Sequence, residues 1–520
     1  MAPTEDMLFQ EPVAGADKKD DVSKQSHISE TETHIGELDR NFSLLSICSV
    51  GIVTGNTWAA LGGSIAVALG NGGPSGVIYE FMCVTFIYCF VAASLAELAS
   101  SMPSSAGVYH WASMTGGPKY GRICGWFAGF WNYLCWNLAC GSMSAIASQI
   151  CVEMYALNYP EYVYQAWHVF IGYLIVTWGC CAIVLFANRH LPSLNTIGLF
   201  FILGGVLVTI LVCVIMPSRT GKGYASTSSV WARWTNETGY TSNGFVFCAG
   251  MLNGAFAIGT PDCVSHLAEE IPQPKRNVPL AIVAQLTIGF VTGFIFLIVL
   301  FYGAPNPDLS APVFPLASIY YQITGSAAGS IGLLFVVLVP TLLSCIGDYI
   351  TAGRTLWTLA RDDATPFPGL LGKISTTHKN PFNATLFCGV VSTLLGFIYL
   401  GSSTAFNAFV SCFILLSTLS YLATIVAFIF TGRFSRAQDG NGNGLAPGPF
   451  KMGPLVGYAV NIISCLYMIA FNVIYCFPYT AEVTAANMNY TCLITGGLTI
   501  FITVWWLFKR RSYKGPAVRF

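Results

Sequence analysis

The sequence predicts an all-α polytopic membrane protein with twelve transmembrane helices. Apolar residues make up 54% of the 520 residues, charged residues make up only 9%, and the mean hydropathy is +0.61. A soluble domain carries roughly a quarter of charged residues. Apolar runs of about 18 residues or more, which are long enough to cross a bilayer as helices, recur along the whole chain. The alternating pattern of an outer-membrane barrel is absent.

The predicted spans follow one another from residue 43 onward. They cover residues 43–69, 75–99, 121–148, 166–187, 192–216, 243–268, 280–303, 328–359, 382–400, 404–430, 454–477 and 490–508.

Polar segments set the domain boundaries. Residues 1–40 hold ten acidic and four basic residues and almost no apolar periodicity. Such a segment cannot bury a core, so we expect a disordered cytoplasmic tail with no signal peptide. A cytoplasmic loop at 431–453 separates the first ten spans, within residues 41–430, from helices eleven and twelve at 454–508. Residues 509–520 form a second cytoplasmic tail.

The 18 cysteines do not form a disulfide framework. Nearly all of them lie inside apolar spans, where Cys behaves as a small hydrophobic residue. Cys476 and Cys492 flank one predicted outer loop, and for this pair a disulfide is left open.

The basic residues predict the orientation. Of the 24 lysine and arginine residues, all but Arg219, Lys222 and Arg233 fall on the tails or on the loops that share their side of the membrane. Because Lys and Arg are enriched in cytoplasmic loops, both termini are predicted to be cytoplasmic.

Four glycosylation sequons are distributed over the two sides. Those at Asn236 and Asn489 fall on predicted outer segments, and we expect them to carry glycans. Those at Asn41 and Asn383 fall on the cytoplasmic side, and we expect them to stay unmodified.

Two of the spans are interrupted in mid-membrane. Span one contains SVGIVTGNTWAALGG at 49–63, and span six contains GFVFCAGMLNGAFAIGTPDCVSHLAEEI at 244–271. Irregular backbone is tolerated in a bilayer only where it is buried in protein or lines a cavity. Paired interruptions at corresponding positions of two halves indicate a transporter with inverted repeats. The alternative interpretation is close helix packing through small residues.

Six stretches carry a family likeness. They are GNTW (55–58), NGGP (71–74), SLAELASSMPSSAGVYHWAS (94–113), GGPKYGR (116–122), CVSHLAEEIPQPKRNVP (263–279) and LARDDATPFP (359–368). With these motifs the chain resembles the amino acid–polyamine–organocation (APC) superfamily and, within it, the fungal amino acid/choline transporter (ACT) permeases. The resemblance implies a LeuT-like ten-helix core of two inverted five-helix repeats, followed by two extra C-terminal helices. It also implies proton symport of an amino acid, γ-aminobutyrate, choline or a related small amine.

The candidate substrate-binding residues line the two breaks and one wall of span three. They are Gly51, Thr54, Gly55, Asn56, Thr57, Trp58, Tyr133, Phe256, Ala257, Ile258 and Gly259. Exposed helix ends can hold charged groups, and aromatic faces attract a quaternary ammonium. The hydrogen-bonding side chains of Thr54, Asn56 and Thr57 favour an amino acid or γ-amino acid over choline, because a trimethylammonium group cannot use them.

Three ionisable residues are candidates for the coupling group: Asp262, His266 and Asp348. A charge within a span is a functional hypothesis by default, because it is expensive to bury in hydrocarbon. The alternatives are a structural carboxylate for Asp262 and a packing role for His266. Span five has no Lys to stand in for a sodium ion, so proton coupling rests on the resemblance.

The predicted function is therefore a permease and not an enzyme. No P-loop, no G-x-S-x-G and no metal-type His/Cys spacing occurs, so we expect neither a cofactor nor a metal. The expected partners are a small amine or amino acid, a proton and the lipid bilayer, without nucleic acid. The plasma membrane is favoured over the vacuole. A choline or quaternary-amine permease, a transporter of a pathway-specific metabolite, and a non-transporting nutrient sensor are the alternatives.

Overall fold

The computed structural model describes residues 43–159, 161–305, 313–401, 403–434, 445–484 and 488–516. All of them belong to one unit, Arg40–Phe520. The predicted tail at 1–40 and the sequon at Asn41 lie outside the described residues, as do parts of the 431–453 loop and of the C-terminal tail.

The described residues form a helical protein. In chain order the helices are α1 (Leu44–Gly55), α2 (Thr57–Gly63), α3 (Ile65–Gly70), α4 (Gly73–Ser101), α5 (Val108–Thr115), α6 (Gly117–Asn158), α7 (Ala166–Phe186), α8 (Leu191–Arg219), α9 (Thr227–Trp231), α10 (Asn243–Ile258), α11 (Pro274–Gly303), α12 (Leu316–Thr324), α13 (Ala327–Arg361), α14 (Pro368–Leu371), α15 (Phe382–Gly401), α16 (Ser403–Phe430), α17 (Pro454–Ile474) and α18 (Thr491–Lys509). Short 3₁₀ helices cover Asn188–His190 and Cys263–Glu270.

Eleven helical segments among the described residues are long and apolar enough to cross a membrane. One of them joins α1 and α2 as Leu44–Gly63, and another joins α10 to the 3₁₀ helix as Asn243–Glu270. The predicted third span is not among the eleven. It lies in α6, a helix of 42 residues whose buried side carries several polar groups that lower its hydropathy.

The interruption of span one is a single residue. Asn56 separates α1 from α2 with φ +25° and ψ 52°, a conformation that Asn tolerates better than most residues. Its N–H still donates to the Ile52 carbonyl at 2.9 Å, and its own carbonyl accepts from the Ala60 N–H at 3.1 Å. The break is therefore a sharp bend between two nearly continuous helices.

The interruption of span six is longer. Ser242 caps α10 through a hydrogen bond from the Phe245 N–H at 3.3 Å, and the helix ends at Ile258. After residues 259–262 the chain continues as the 3₁₀ helix Cys263–Glu270, and α11 then begins at Pro274. A proline in the first turn of a helix costs no hydrogen bond, because the N–H it lacks has no partner there.

Helix α6 lies at the centre of the packing. It packs against α5, α7, α13 and α16, while α4 packs against α10 and α11. A short antiparallel pair, β1 (Asn71–Gly72) and β2 (Thr235–Asn236), joins the end of span one to the loop before span six. The two interrupted segments are thus tied together at the predicted outer face and lie beside α6 and α13.

Candidate functional site

The two breaks lie next to each other and are joined by Gln285 of α11. A Cβ added to Gly55 would lie 2.9 Å from Gln285 Nε2 and 3.3 Å from Thr260 Oγ1. A Cβ added to Gly51 would lie 3.1 Å from a methyl group of Val264. The glycines of the first break therefore let α1 approach the second break closely, and a side chain at either position would force the two apart.

Gln285 satisfies the exposed backbone of the second break. Its Nε2 donates to the Thr260 carbonyl at 3.0 Å and to Thr260 Oγ1 at 2.5 Å, and its Oε1 accepts from Cys263 Sγ at 3.5 Å. The side chain is 5% exposed. Sequence reasoning missed this residue, although a lone glutamine inside an apolar span is a signal that could have found it.

Asp262 is the centre of a fully buried hydrogen-bond network. Its Oδ2 accepts from Asn132 Nδ2 at 2.7 Å and from Trp136 Nε1 at 3.2 Å, and it lies 3.2 Å from His266 Nε2. Its Oδ1 accepts from the Tyr421 hydroxyl at 2.5 Å. We call these five residues the Asp262 network. It joins the 3₁₀ helix of span six to α6 and α16, and the Asn132, Trp136 and Tyr421 contacts were not predicted.

The second ring nitrogen of His266 also faces acceptors. Its Nδ1 lies 3.2 Å from the Ser105 carbonyl oxygen and 3.1 Å from Thr355 Oγ1. The Thr355 hydroxyl itself donates to the Thr351 carbonyl at 2.8 Å, so its oxygen is an acceptor for His266. All these contacts together require a proton on both ring nitrogens, or a proton on Asp262 in place of the one on Nε2, because a neutral ring has one nitrogen without a proton.

Gly107 brings the segment before α5 against His266. Its φ of +50° suits a glycine, and an added Cβ would lie 2.7 Å from Ser265 Oγ and 3.1 Å from His266 Cε1. The neighbouring Ser105 exchanges two hydrogen bonds with Glu269, both at 3.2 Å. The 3₁₀ helix of span six is thereby docked on this segment.

Many buried polar side chains have atoms with no hydrogen-bond partner among the described residues, and four of them lie on the first break and on the facing helices α6 and α13. They are Thr54 Oγ1, Asn56 Oδ1, both amide atoms of Asn137, and Asp348 Oδ2. Each side chain is at most 2% exposed. Buried polar groups are normally paired, so each exception requires an explanation. We call these four residues the central polar layer.

The members of the central polar layer come from α1, its bend, α6 and α13. Helices α6 and α13 run antiparallel and touch where Ser144 Oγ and Cys345 Sγ lie 3.4 Å apart. Farther along, both helices meet the Asp262 network. Asn137 and Asp348 both lie between these two contacts, each on its own helix.

Thr54 is held against α13 next to Asp348. Ser344 Oγ donates to the Thr54 carbonyl at 2.8 Å. The Thr54 hydroxyl contacts Gly347, where an added Cβ would collide with it. The absent side chain at Gly347 therefore allows the first break to approach the helix that carries the unpartnered carboxylate.

A cavity of about 470 Å³ lies on the predicted outer side of the breaks. Its walls include Ser64, Ser142, Gly250 and Asn253, and the Ser64 hydroxyl donates to the Asn253 side chain across it. None of the eleven predicted substrate-binding residues lines this cavity. It therefore forms a vestibule that lies nearer the predicted outer face than the two breaks do.

Buried ion pairs lie on the predicted cytoplasmic side. Arg354 Nε is 2.6 Å from Glu270 Oε1, and Arg433 Nη2 is 2.6 Å from Glu97 Oε2. All four side chains are at most 7% exposed. The first pair fastens the end of span six to α13, and the second fastens α4 to the chain after α16.

Two titratable groups outside the spans are also buried on this side. Burial raises the pKa of Asp362, which follows α13, to about 6, although Arg361 opposes the shift. Burial lowers the pKa of His110 in α5 to about 4. Burial thus favours the neutral form of both groups: Asp362 stays protonated up to about pH 6, and His110 stays unprotonated down to about pH 4.

The aromatic candidates lie in different packing environments. Trp58 packs edge-on against Phe296 of α11 with ring centroids 5.6 Å apart, and Phe256 packs edge-on against Phe413 of α16 at 5.9 Å. The Tyr133 hydroxyl lies beside the Cys388 thiol of α15. In the described contacts these three rings do not form one aromatic cage.

The other predicted substrate-binding residues lie in tight helix contacts. Thr57 faces α11, where an added Cβ at Gly289 would collide with its hydroxyl. Ala257 and Ile258 are buried. Gly259 lies in the second break, where an added Cβ would lie 3.3 Å from the Tyr88 hydroxyl.

The sequon asparagines differ in their surroundings. Asn236 is half-buried, and its Nδ2 donates to the Tyr240 carbonyl at 2.8 Å. Asn489 is 4% exposed, and its Nδ2 donates to the Tyr475 and Phe477 carbonyls, both at 2.8 Å. A glycan on Asn489 would require that these two hydrogen bonds be broken. Asn383 Nδ2 donates to the Leu370 carbonyl at 3.0 Å.

Comparison with known proteins places these features in a family. A family model described as amino acid permease matches residues 42–498. The choline transporter of Saccharomyces cerevisiae is 29% identical over 516 residues, which cover 98% of this chain and 87% of that protein.

Two further relatives carry different substrate names. A putative amino acid/polyamine transporter of Macrophomina phaseolina is 30% identical over 454 residues, covering 85% of this chain and 96% of that protein. The 7-keto 8-aminopelargonic acid transporter of Saccharomyces cerevisiae is 24% identical over 532 residues, covering 92% of this chain and 93% of that protein.

Proposed function

Because the chain belongs to the amino acid permease family, within the APC superfamily, we propose that it is a proton-coupled permease for a small solute with an amino or ammonium group. In this proposal twelve helices cross the membrane, with α6 as the third, in a LeuT-like arrangement with both termini cytoplasmic. The plasma membrane is the proposed location.

The central polar layer is the observation that carries the proposal. Its four side chains come from the first break and from α6 and α13, and their unpartnered atoms include two acceptor oxygens, a hydroxyl, an amide N–H₂ group and a carboxylate oxygen. A buried polar atom without a partner costs about 1–3 kcal/mol. A solute that supplies the missing partners recovers this free energy, so the layer is suited to bind a polar ligand.

The carboxylate of Asp348 favours a ligand with a positive charge. An unpartnered carboxylate in a low-dielectric setting must hold a proton or a cation, because an isolated buried charge is far too costly. A protonated amine supplies both the positive charge and hydrogen-bond donors, and the unpartnered side-chain oxygens of Asn137 and Asn56 are further acceptors. We therefore assign substrate-ammonium binding to Asp348, which replaces the coupling role that the sequence suggested for it.

Coupling is assigned to the Asp262 network. His266 lies between the Asp262 carboxylate and the Ser105 carbonyl, and in its imidazolium form it would donate to both. Loss of one proton leaves one of these acceptors without a donor, and the 3₁₀ helix of span six is then held less firmly to the segment before α5. Histidine is suited to this exchange because its charge changes near neutral pH.

The cavity and the ion pairs give this cycle a direction. The vestibule opens on the predicted outer side, whereas Arg354–Glu270 and Arg433–Glu97 close the opposite side. We propose that substrate and proton enter from the vestibule and that proton release from His266 weakens the cytoplasmic contacts. Paired rocking of the interrupted helices is the general mechanism of such folds.

Choline is the second candidate substrate. The unpartnered Asp348 suits a quaternary ammonium as well as a primary amine, and one relative is named a choline transporter. The hydrogen-bonding atoms of Thr54, Asn56 and Asn137 favour a solute with several polar groups, such as an amino acid or γ-aminobutyrate. A pathway-specific amine satisfies the same chemistry.

Radiolabelled uptake in cells without endogenous permeases tests the proposal. The panel contains alanine, glutamate, γ-aminobutyrate, a diamine and choline, each measured with and without a protonophore and with sodium replaced by potassium. We expect accumulation of at least one solute with an ammonium group, its loss with the protonophore, and no effect of sodium replacement.

Matched variants separate binding from coupling. Asp348→Asn should lower saturable uptake roughly 100-fold, whereas His266→Gln should keep substrate exchange across the membrane but lose accumulation against a gradient. Full accumulation by Asp348→Asn would contradict its assignment to the ammonium. Sodium-dependent uptake that survives the protonophore would contradict proton coupling.

A further inference from the structure

Two thiols come together at the predicted outer end of the last two helices. Cys476 follows α17, which ends at Ile474, and Cys492 is the second residue of α18, which begins at Thr491. Fifteen residues lie between them in the chain. Their proximity therefore depends on how the two ends of this connecting loop are joined.

Asn489 joins the two ends. Its Nδ2 donates to the carbonyls of Tyr475 and Phe477, which flank Cys476, at 2.8 Å each. Its Oδ1 accepts from the backbone N–H of Thr491, next to Cys492, at 3.1 Å. A single buried side chain therefore clamps the turn that contains Cys476 against the first turn of α18.

The clamp brings the side chains of the two cysteines together. Burial and a hydrogen bond with the Cys492 thiol raise the pKa of Cys476 to about 12. A third thiol, that of Cys412, is fully buried in α16 and donates instead to the Thr491 carbonyl at 3.8 Å. Cys492, by contrast, is exposed.

We propose that Cys476 and Cys492 form a disulfide bond. This proposal rests on the proposed orientation of the chain. The predicted outer face passes through the oxidising secretory compartment, where disulfides form and persist. In the reaction each thiol loses its proton, the two sulfurs join, and two electrons pass to the disulfide of a thiol oxidoreductase, which leaves as a dithiol. Because the thiolate is the reactive form, the more exposed Cys492 is the attacking group.

The bond would close the loop that covers one side of the vestibule. Tyr475, Phe477 and Tyr479 of this loop line the cavity, and the Tyr240 hydroxyl donates to the Pro478 carbonyl at 3.0 Å. The disulfide therefore fixes both ends of a wall of the vestibule, while the packing of Phe477 on Phe245 connects that wall to α10.

Differential thiol labelling tests the proposal in the full-length protein. Cells are quenched in acid, free thiols are blocked under denaturing conditions with N-ethylmaleimide, and the protein is then reduced and treated with isotope-labelled iodoacetamide. Mass spectrometry of the peptides should show the second label on Cys476 and Cys492 and the first label on Cys412 and Cys83. The first label on both Cys476 and Cys492 would overturn the proposal.

Two variants and one topological control sharpen the result. Cys492→Ser should move Cys476 to the first label, whereas Cys412→Ser should leave the pair unchanged; a pair that is lost in Cys412→Ser would overturn the assignment. After mild reduction, a membrane-impermeant maleimide should reach Cys492 in intact cells. Reaction only after permeabilisation would overturn the pairing together with the orientation, whereas a failure of transport leaves the labelling result intact.

Discussion

Asp262 and Asp348 are both buried carboxylates of the same helical core, but their surroundings differ. Both oxygens of Asp262 accept hydrogen bonds, and four side chains converge on them. Asp348 Oδ2 has no partner among the described residues. A carboxylate whose partners are built into the protein is organised to keep its charge, whereas one without partners is organised to receive a cation.

The difference also concerns which part of the fold each carboxylate holds. The Asp262 network joins span six to α6 and α16, so its loss would weaken the packing between helices. Asp348 lies in the middle of α13, and its Oδ2 makes no hydrogen bond to any other described helix. We therefore expect substitutions in the first region to lower stability as well as coupling, and substitutions in the second to lower transport with little effect on stability.

The largest effect on stability is expected for Asp262→Ala. The change leaves the side chains of Asn132, Trp136 and Tyr421 without their acceptor and His266 without its counter-charge. Removing one partner of a buried, paired charge costs about 3–5 kcal/mol. The measurement is the thermal unfolding midpoint of the purified protein in detergent, monitored by tryptophan fluorescence.

Asp348→Ala is the matched control for that experiment. Because the carboxylate has an unpartnered oxygen, its removal should leave the unfolding midpoint unchanged or raise it. Equal destabilisation by the two alanine variants would show that Asp348 is as well paired in solution as Asp262, and the comparison between the two regions would fail.

The largest effect on transport is expected for Asp348→Asn. The amide keeps the size of the carboxylate but cannot neutralise an ammonium, so uptake of the preferred amine should fall roughly 100-fold in kcat/KM, equivalent to about 2.7 kcal/mol. Initial uptake rates over a range of substrate concentrations measure this change. A glutamate at the same position keeps the charge and should retain part of the activity; a variant Asp348→Glu that is as inactive as Asp348→Asn would point to geometry and not charge.

The sequence predicted the breaks better than it predicted what surrounds them. Glycine, threonine and proline inside apolar runs marked Asn56 and residues 259–261 as irregular, because such residues weaken helices wherever they occur. The sequence also marked Asp262 and Asp348 as buried charges. These features are local, and a single segment of sequence is enough to reveal them.

Contacts between distant segments could not be predicted in this way. Tyr421 lies 159 residues from Asp262 along the chain, and Gln285 of α11 bonds to Thr260, which lies 25 residues before it. The sequence also grouped Trp58 with Phe256 as aromatic neighbours, but which face of a helix an aromatic ring occupies depends on the packing of α8 and α11. The polar side chains of α6, such as Asn132 and Asn137, face other helices and not lipid. They belong to the candidate site, and they also lower the hydropathy of this helix.

A smaller effect is expected for Gln285→Met, which tests the side chain that joins the two breaks. Methionine fills a similar volume but leaves the Thr260 carbonyl and hydroxyl without the donor they now have, at a cost of about 1–3 kcal/mol. Unfolding midpoints should fall by less than for Asp262→Ala. Transport should also decline, because the second break would no longer be held against Gly55. An unchanged midpoint would mean that water or another side chain replaces the Gln285 donor.

The smallest effect is expected for Asp362→Asn, at a carboxyl group whose pairing is intermediate between those of Asp262 and Asp348. Arg361 Nε lies 3.7 Å from its Oδ1, but Oδ2 is unpartnered among the described residues.

Burial raises the pKa of Asp362 from 3.8 to about 6. As the pH rises from about 4 to 6, the unfolded chain therefore releases this proton before the folded protein does, and the folded state loses stability. Asparagine removes that loss, so the variant should be more stable than the wild type at pH 7.5 and equal to it near pH 4. Unfolding midpoints across this pH range measure the difference. A wild type that instead gains on the variant as the pH rises would show that Arg361 outweighs burial, and Asp362 would then belong with the fully paired carboxylates.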